Sequence, residues 1–217
     1  RPHFWFQLYW PIYLVWFFTL DGRSVAAKYI IHSRIDDFIP FNEWFVFLYA
    51  SWFLLLVFVM LLLWKRDTKS YDRLCLMMFS GMTFCLILYS LIPNGLELRP
   101  DPASLNRDNI ALWIMKRIWA ADSSLNVCPS IHCQSSMCMS LALSRSSVCR
   151  GRKGPTALAW IWGLLICVST VFVKQHSIID VFCGIALVIP WYLYLYVWKD
   201  RGKKVPAESA GKESFSD

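Results

Sequence analysis

Residues Trp44 to Trp64 read WFVFLYASWFLLLVFVMLLLW, a run without one charged side chain. As a helix rising ~1.5 Å per residue, it is long enough to cross a hydrocarbon core of ~30 Å. Such a run offers water no polar face, so it reads as a membrane span. Five further apolar runs follow the same rule, at about residues 4–20, 74–92, 130–143, 157–173 and 178–198. Pro11 lies inside the first run, which membrane helices tolerate. The run at 130–143 is short and interrupted by Gln134, Ser135, Ser136 and Ser140. Its polarity argues against a lipid-facing helix, and its small residues suit close packing inside a bundle. No small-residue cleavage site follows the first run, so it reads as a span and not as a removed signal peptide. The expectation is an all-α polytopic membrane protein: a six-transmembrane-helix bundle forming one domain over 1–198, with a polar, disordered cytoplasmic tail over 199–217.

Composition agrees with that reading. The 217 residues are 57% hydrophobic, with a mean hydropathy of +0.42, which excludes an ordinary soluble domain. Aromatic residues, 12 Trp among them, gather near the ends of the apolar runs, as interfacial belts do. The net charge of +7 would suggest nucleic acid in a soluble protein. Here the basic residues crowd short loops, so topology explains them and no nucleic-acid partner is expected. Of the eight cysteines, Cys75, Cys85, Cys138, Cys167 and Cys183 fall within apolar runs, where Cys behaves as a small hydrophobe. The spacing of Cys128, Cys133 and Cys138 matches no zinc pattern.

Orientation follows from Lys and Arg. Lys65, Arg66, Lys69 and Arg73 crowd the second loop, Arg145, Arg150, Arg152 and Lys153 the fourth, and Lys199, Arg201, Lys203 and Lys204 follow the last run. These segments alternate so as to share the cytoplasmic side, placing both termini there and the loops 21–43, 93–127 and 174–177 on the other side, with the plasma membrane as the expected location. Arg99, Ser130, His132, Lys174 and His176 then all fall at that other face.

His176 and Asp180 stand four apart and share a helix face, where the carboxylate can hold one imidazole nitrogen and leave the other free to attack. Ionisable groups at a span edge are costly and point to function. Upstream, Ser130 can cap the helix that carries His132 on its first turn. A helix N-terminus suits a phosphate, Arg99 offers a guanidinium fork, and Lys174 adds a point charge. Together these parts suit a two-step phosphoryl transfer: His176 as nucleophile, His132 as acid and then base, Arg99, Ser130 and Lys174 around the phosphate. No metal and no cofactor is called for. His3 and His32 read as interfacial residues, Lys116 and Arg117 as surface charge, and Asp36 and Asp37 have no assigned role.

Pro129-Ser130-Ile131-His132 resembles the second signature of the type 2 phosphatidic acid phosphatase superfamily. His176-x-x-x-Asp180, with Ser169 seven residues before His176, resembles its third, and Arg99-Pro100 the end of its first. The resemblance implies a membrane enzyme that removes or transfers a phosphate group of a lipid substrate through a phosphohistidine. Two departures stand out: the family has a Lys where this chain has Ile92, and an Arg where it has Thr170. A similar thinning, with His176-x-x-x-Asp180-Val181 retained, is similar to the branch of sphingomyelin and inositol phosphorylceramide synthases. Hydrolysis of a lipid phosphate or pyrophosphate is the leading reading, lipid phosphotransfer the alternative. A non-catalytic bundle or transporter using the His–Asp pair for protons is a third, disfavoured by the lack of an inverted repeat.

Overall fold

The computed structural model describes residues 2–23 and 25–198. Helix starts follow side-chain caps. A short 3₁₀ stretch, Pro2–Leu8, leads into α1 (Tyr9–Asp21). α2 (Arg34–Phe38) starts at a capping box made by Ser33 and Asp36. A 3₁₀ turn capped by Asn42 opens α3 (Val46–Arg66). α4 (Thr68–Leu91) begins where the Asp67 side chain accepts from the Ser70 amide, and α5 (Ile110–Ala121) where Asn109 accepts from Leu112. α6 (Ile131–Arg145) is capped by Ser130, α7 (Lys153–Phe172) follows, and α8 (Ile178–Ala186) starts at a Ser177–Asp180 capping box. α9 (Val188–Tyr192) and a π-helical turn, Leu193–Trp198, continue α8. Each cap satisfies an amide that the helix itself leaves unpaired.

Helix thus lies under every apolar run, with different boundaries. α4 starts six positions ahead of the run at 74–92, because the Asp67 cap carries the polar turn Thr68–Arg73 into the helix. Among the described residues four helical segments are long and apolar enough to cross a membrane: Glu43–Arg66, Thr68–Leu91, Lys153–Phe172 and Ile178–Trp198. The first segment and α6 fall short, the former split between a 3₁₀ stretch and a 13-residue α-helix and the latter only 15 residues long and polar. The six-span count therefore does not follow from length and composition alone. The tail at 199–217, with Lys199, Arg201, Lys203 and Lys204, lies outside the described residues.

α6 is the axis of the molecule. Twelve of its 15 residues are buried, so it has no lipid face. Its polar side chains are handled inside the bundle. Ser140 Oγ donates to Ala159 O at 2.8 Å, Ser135 Oγ to Ile131 O at 2.6 Å, and Gln134 Nε2 to Met77 O at 3.3 Å. Backbones approach closely where glycine permits. A Cβ on Gly163 would stand 2.2 Å from Ser140 Oγ, and one on Gly184 2.5 Å from the Ser130 carbonyl oxygen. Dispersion and small-residue contact, not water exclusion, hold helices together in lipid. The outer face of α3, with Phe53 and Leu54 more than 60% exposed, is what lipid would cover. All eight cysteines are free thiols and six are buried.

One end of the bundle is knit from three loops. β1 (Tyr29–Ile30) pairs in parallel with β2 (Asn94–Gly95), and Gly95 bridges Leu125. Glu43, 2% exposed, takes Arg107 at 3.0 Å and Asn109 at 2.9 Å, seating α5 beside the start of α3. At the opposite end, Ser147 N donates to Asp67 Oδ2 at 2.7 Å, joining the two basic loops, and His3 pairs with Asp72 at 2.7 Å. His32 pairs with Asp37 at 2.8 Å among the knit loops.

Candidate functional site

The knit end holds a pair of facing imidazoles. His176 Nε2 lies 3.5 Å from His132 Nδ1, with ring centroids 5.6 Å apart. His176 sits on the loop between α7 and α8, and His132 on the first turn of α6. The two helix starts are tied directly: Ser130 N donates to Asp180 O at 3.0 Å. The segment leading to Ser130 is equally constrained. Asn94 Oδ1 accepts from Val127 N and Cys128 N, both at 2.9 Å, and Tyr89 donates its hydroxyl to Pro129 O. His132 is wedged between aromatic rings, with Tyr49 at 4.7 Å and Trp52 at 4.9 Å between centroids. Trp52 in turn donates to Ser135 Oγ at 2.8 Å.

Asp180 stands behind His176, its Oδ2 3.4 Å from Nδ1, an ion-pair distance at which Nδ1 has no aligned hydrogen bond. Burial works against a charged His176, but the Asp180 carboxylate outweighs it and raises its pKa. Oδ2 also accepts from Ser177 N at 2.8 Å, which fixes the carboxylate to the start of α8.

Asp36, which the sequence left without a role, is fully buried beside the site. Its Oδ2 accepts from Ser177 Oγ at 2.6 Å and Ser33 N at 2.9 Å, and its Oδ1 from Ile178 N at 2.9 Å. Two carboxylates, Asp36 and Asp180, therefore satisfy the N-terminus of α8. The N-terminus of α6, capped only by neutral Ser130 through Cys133 N at 3.3 Å, is left as the positive helix end beside the imidazoles.

Lys174 is bonded to the Asp36 segment. It adopts φ of 57°, and its Nζ donates to the Asp36 backbone oxygen at 2.7 Å. The ammonium anchors the loop, where the sequence suggested a phosphate contact; burial lowers its pKa, and Asp36 and Asp37 partly restore it.

Arg99 does reach the site. Nη1 donates to Asp122 O at 2.9 Å, Nη2 to Ser123 O at 2.8 Å and also to Gln175 Oε1. Its Nε and the Gln175 Nε2 are buried donors without a hydrogen-bond partner among the described residues. Burial lowers the pKa of Arg99, against the pull of Asp122, though a guanidinium stays charged. Burial also raises Asp122 to about 6, Arg99 offsetting and Asp21 adding to the shift.

The two departures have plain positions. Ile92 directly follows α4 and is 45% exposed. Thr170 is buried, its hydroxyl donates to Cys167 O at 2.8 Å, and its carbonyl accepts from Gln175 N at 3.0 Å and His176 N at 3.2 Å. Thr170 thus shapes the His176 loop through its backbone. Among the described residues no group of three or more His, Cys, Asp or Glu could hold a metal ion.

Tyr49, Trp52, Asn94, Asp36, Asp122 and Gln175 were not singled out for the site from sequence. Gln175, adjacent to His176, was the most accessible of them, since polar neighbours of a catalytic candidate are natural ligands. The others are brought in by loops and helices remote in sequence.

The PAP2 superfamily model matches residues 73–204, well over half of the chain. The chain belongs to that superfamily, whose members are generally phosphatases or phosphotransferases. A comparison with curated proteins finds no match.

Proposed function

We propose that this PAP2 superfamily member acts on a lipid phosphate or pyrophosphate through a phosphohistidine at His176, on the non-cytosolic face of a six-span bundle. The observation that carries the reading is the 3.5 Å approach of His176 Nε2 to His132 Nδ1, with Asp180 behind the first ring and Arg99 beside it.

His176 Nε2 attacks phosphorus, the bond from phosphorus to the leaving oxygen breaks, and His132 supplies the proton that oxygen needs. Water then attacks the phosphohistidine, His132 takes its proton, and the P–N bond breaks to return His176. Arg99 Nε, Gln175 Nε2 and the start of α6 supply donors for the equatorial oxygens, whose charge grows in the transition state. A reacting phosphorus sits ~3–3.5 Å from its nucleophile, so a leaving oxygen cannot fit between nitrogens now 3.5 Å apart. Substrate binding must therefore widen the gap between the two imidazoles.

One observation favours the transferase reading. With Lys174 held on Asp36, Arg99 is the described cation left bonded to the His176 loop. One guanidinium balances a singly charged phosphodiester better than a doubly charged monoester, and a diester is what headgroup transfer to a lipid alcohol consumes.

Purified protein would be assayed against phosphatidic acid, phosphatidylglycerol phosphate, polyprenyl pyrophosphate and the diester phosphatidylcholine, with and without an added lipid alcohol, and products identified by mass spectrometry. Phosphate release supports the hydrolase, and products that depend on the alcohol support the transferase. His176→Ala should abolish both, and His132→Ala should slow either by ~10²–10⁴-fold. Unchanged activity in His176→Ala would sink the catalytic reading and leave the transport bundle.

A further inference from the structure

α6 leads from the histidine pair at Ser130 to Arg145 at the other end of the bundle, a rise of about 22 Å. There the structure opens a cavity of about 950 Å³ between the start of α4, the end of α6, the start of α7 and the α8–α9 stretch. That volume lies at the upper end of the ~300–1,000 Å³ typical of ligand sites. None of the residues assigned to phosphoryl transfer lines it.

The cavity has two chemistries. Lys69, Arg145 and Arg150 line it with exposed cationic side chains. Among the described residues Asp67 is its one acidic lining residue, and that carboxylate is already taken by Ser70 N at 3.0 Å, Ser70 Oγ at 2.9 Å and Ser147 N at 2.7 Å. Leu141, Trp160, Ile185 and Val188 form an apolar wall, with Ile189 exposed at its edge. Arg145 stands at the seam, with Nη2 3.2 Å from the Tyr192 hydroxyl and its guanidinium 5.7 Å from that ring. A free anion would match the cations and leave the wall unused. A neutral lipid would match the wall and leave the cations without a counter-charge.

We propose that this cavity is a second lipid site: it binds an anionic phospholipid, with the phosphate on Lys69, Arg145 and Arg150 and an acyl chain against Ile185, Val188 and Ile189. The site is separate from the catalytic centre, and binding there does not require chemistry at His176.

The test is lipid retention by the purified full chain, measured by native mass spectrometry with phosphatidylglycerol or phosphatidylcholine added, in a His176→Ala background that prevents turnover. Phosphatidylglycerol should be retained over phosphatidylcholine. The triple substitution K69Q/R145Q/R150Q should weaken retention roughly 100-fold, from the loss of three basic contacts at a membrane surface. Ser144→Trp, which puts an indole into the cavity and leaves its charge intact, should also weaken retention. Arg99→Gln, at the other end, should not change it. Equal retention of both lipids, wild-type retention in the triple variant or in Ser144→Trp, loss in Arg99→Gln, or full displacement by inorganic phosphate would each overturn the proposal. These readouts are independent of catalysis, so they hold even if no lipid phosphate is turned over.

Discussion

Replacing Asp36 with Ala tests whether the His176 loop is held from a distance. Asp36 lies 140 positions before His176, yet its carboxylate accepts from Ser177 Oγ, Ile178 N and Ser33 N at 2.6–2.9 Å with no exposure to solvent. Bonds to a charged acceptor contribute about 1.5–3 kcal/mol each, and a buried donor left without a partner costs about 1–3 kcal/mol. Two of the three donors, Ser177 Oγ and Ile178 N, belong to the start of α8. The Ser33 amide sits on a half-buried turn where water can replace the bond. Two orphaned donors at α8 and one lost cap on α2 give a destabilisation of about 3–5 kcal/mol, in the range for breaking a buried charged network. Asp36→Asn keeps one carbonyl oxygen and should lose about half as much. Activity should fall more than stability alone requires, because the same bonds set the position of His176; a misplacement of ~1 Å can cost ~10²-fold. Thermal melting in detergent and initial rates well below the transition would be measured together. If Asp36→Ala melts with the wild type and keeps its rate, Asp36 does not position the loop and the reasoning fails.

Three further outcomes are expected. Gly184→Ala places a Cβ 2.5 Å from the Ser130 carbonyl oxygen, a backbone atom that cannot rotate away, so α8 must shift from α6 and kcat should drop ~10²-fold with little change in KM; a wild-type rate would show that the two helix starts need not be in register. The raised pKa of His176 acts in opposite directions on stability and rate. The His176–Asp180 pairing stabilises the fold below the unfolded imidazole value and is lost as pH rises through the raised folded value, whereas the nucleophile becomes neutral over that same interval, so melting temperature should fall while kcat/KM rises; parallel movement of the two would refute the assignment. Asp122, raised by burial to about 6, has the inverse sign from a paired carboxylate: its cost to the fold is absent below the unfolded value, grows as pH rises toward 6 and stays beyond it. Asp122→Asn should therefore melt higher than wild type at neutral pH and lower KM above pH 6 by removing a negative charge near Arg99, and equal KM profiles for the two proteins would exclude that effect.

Much of the fold was written locally. An uncharged run of the length of Trp44 to Trp64 has one low-energy environment, and Asn42, Asp67, Asn109, Ser130 and Ser177 mark helix starts because their short side chains reach amides two or three residues ahead. The order Arg99, Ser130, His132, His176, Asp180 was legible because each belongs to a compact motif, but the helix face expected to join His176 and Asp180 does not exist: α8 starts at Ile178, and His176 meets Asp180 from the loop just before the Ser177 cap. Tertiary structure decided the rest. It seated the Lys174 ammonium on the Asp36 carbonyl, with the Lys174 backbone at positive φ. It made Thr170 a scaffold through its carbonyl and left Ile92 outside the pair. It recruited Asp36, Tyr49, Trp52 and Asn94 from elements tens of residues away, contacts no periodicity encodes. The sequence by itself determined which segments are helical and which residues carry the chemistry, because those depend on neighbours within one turn. Which cations remain available to a phosphate, and what holds the nucleophile in place, depend on distances between helices, and only their packing sets those.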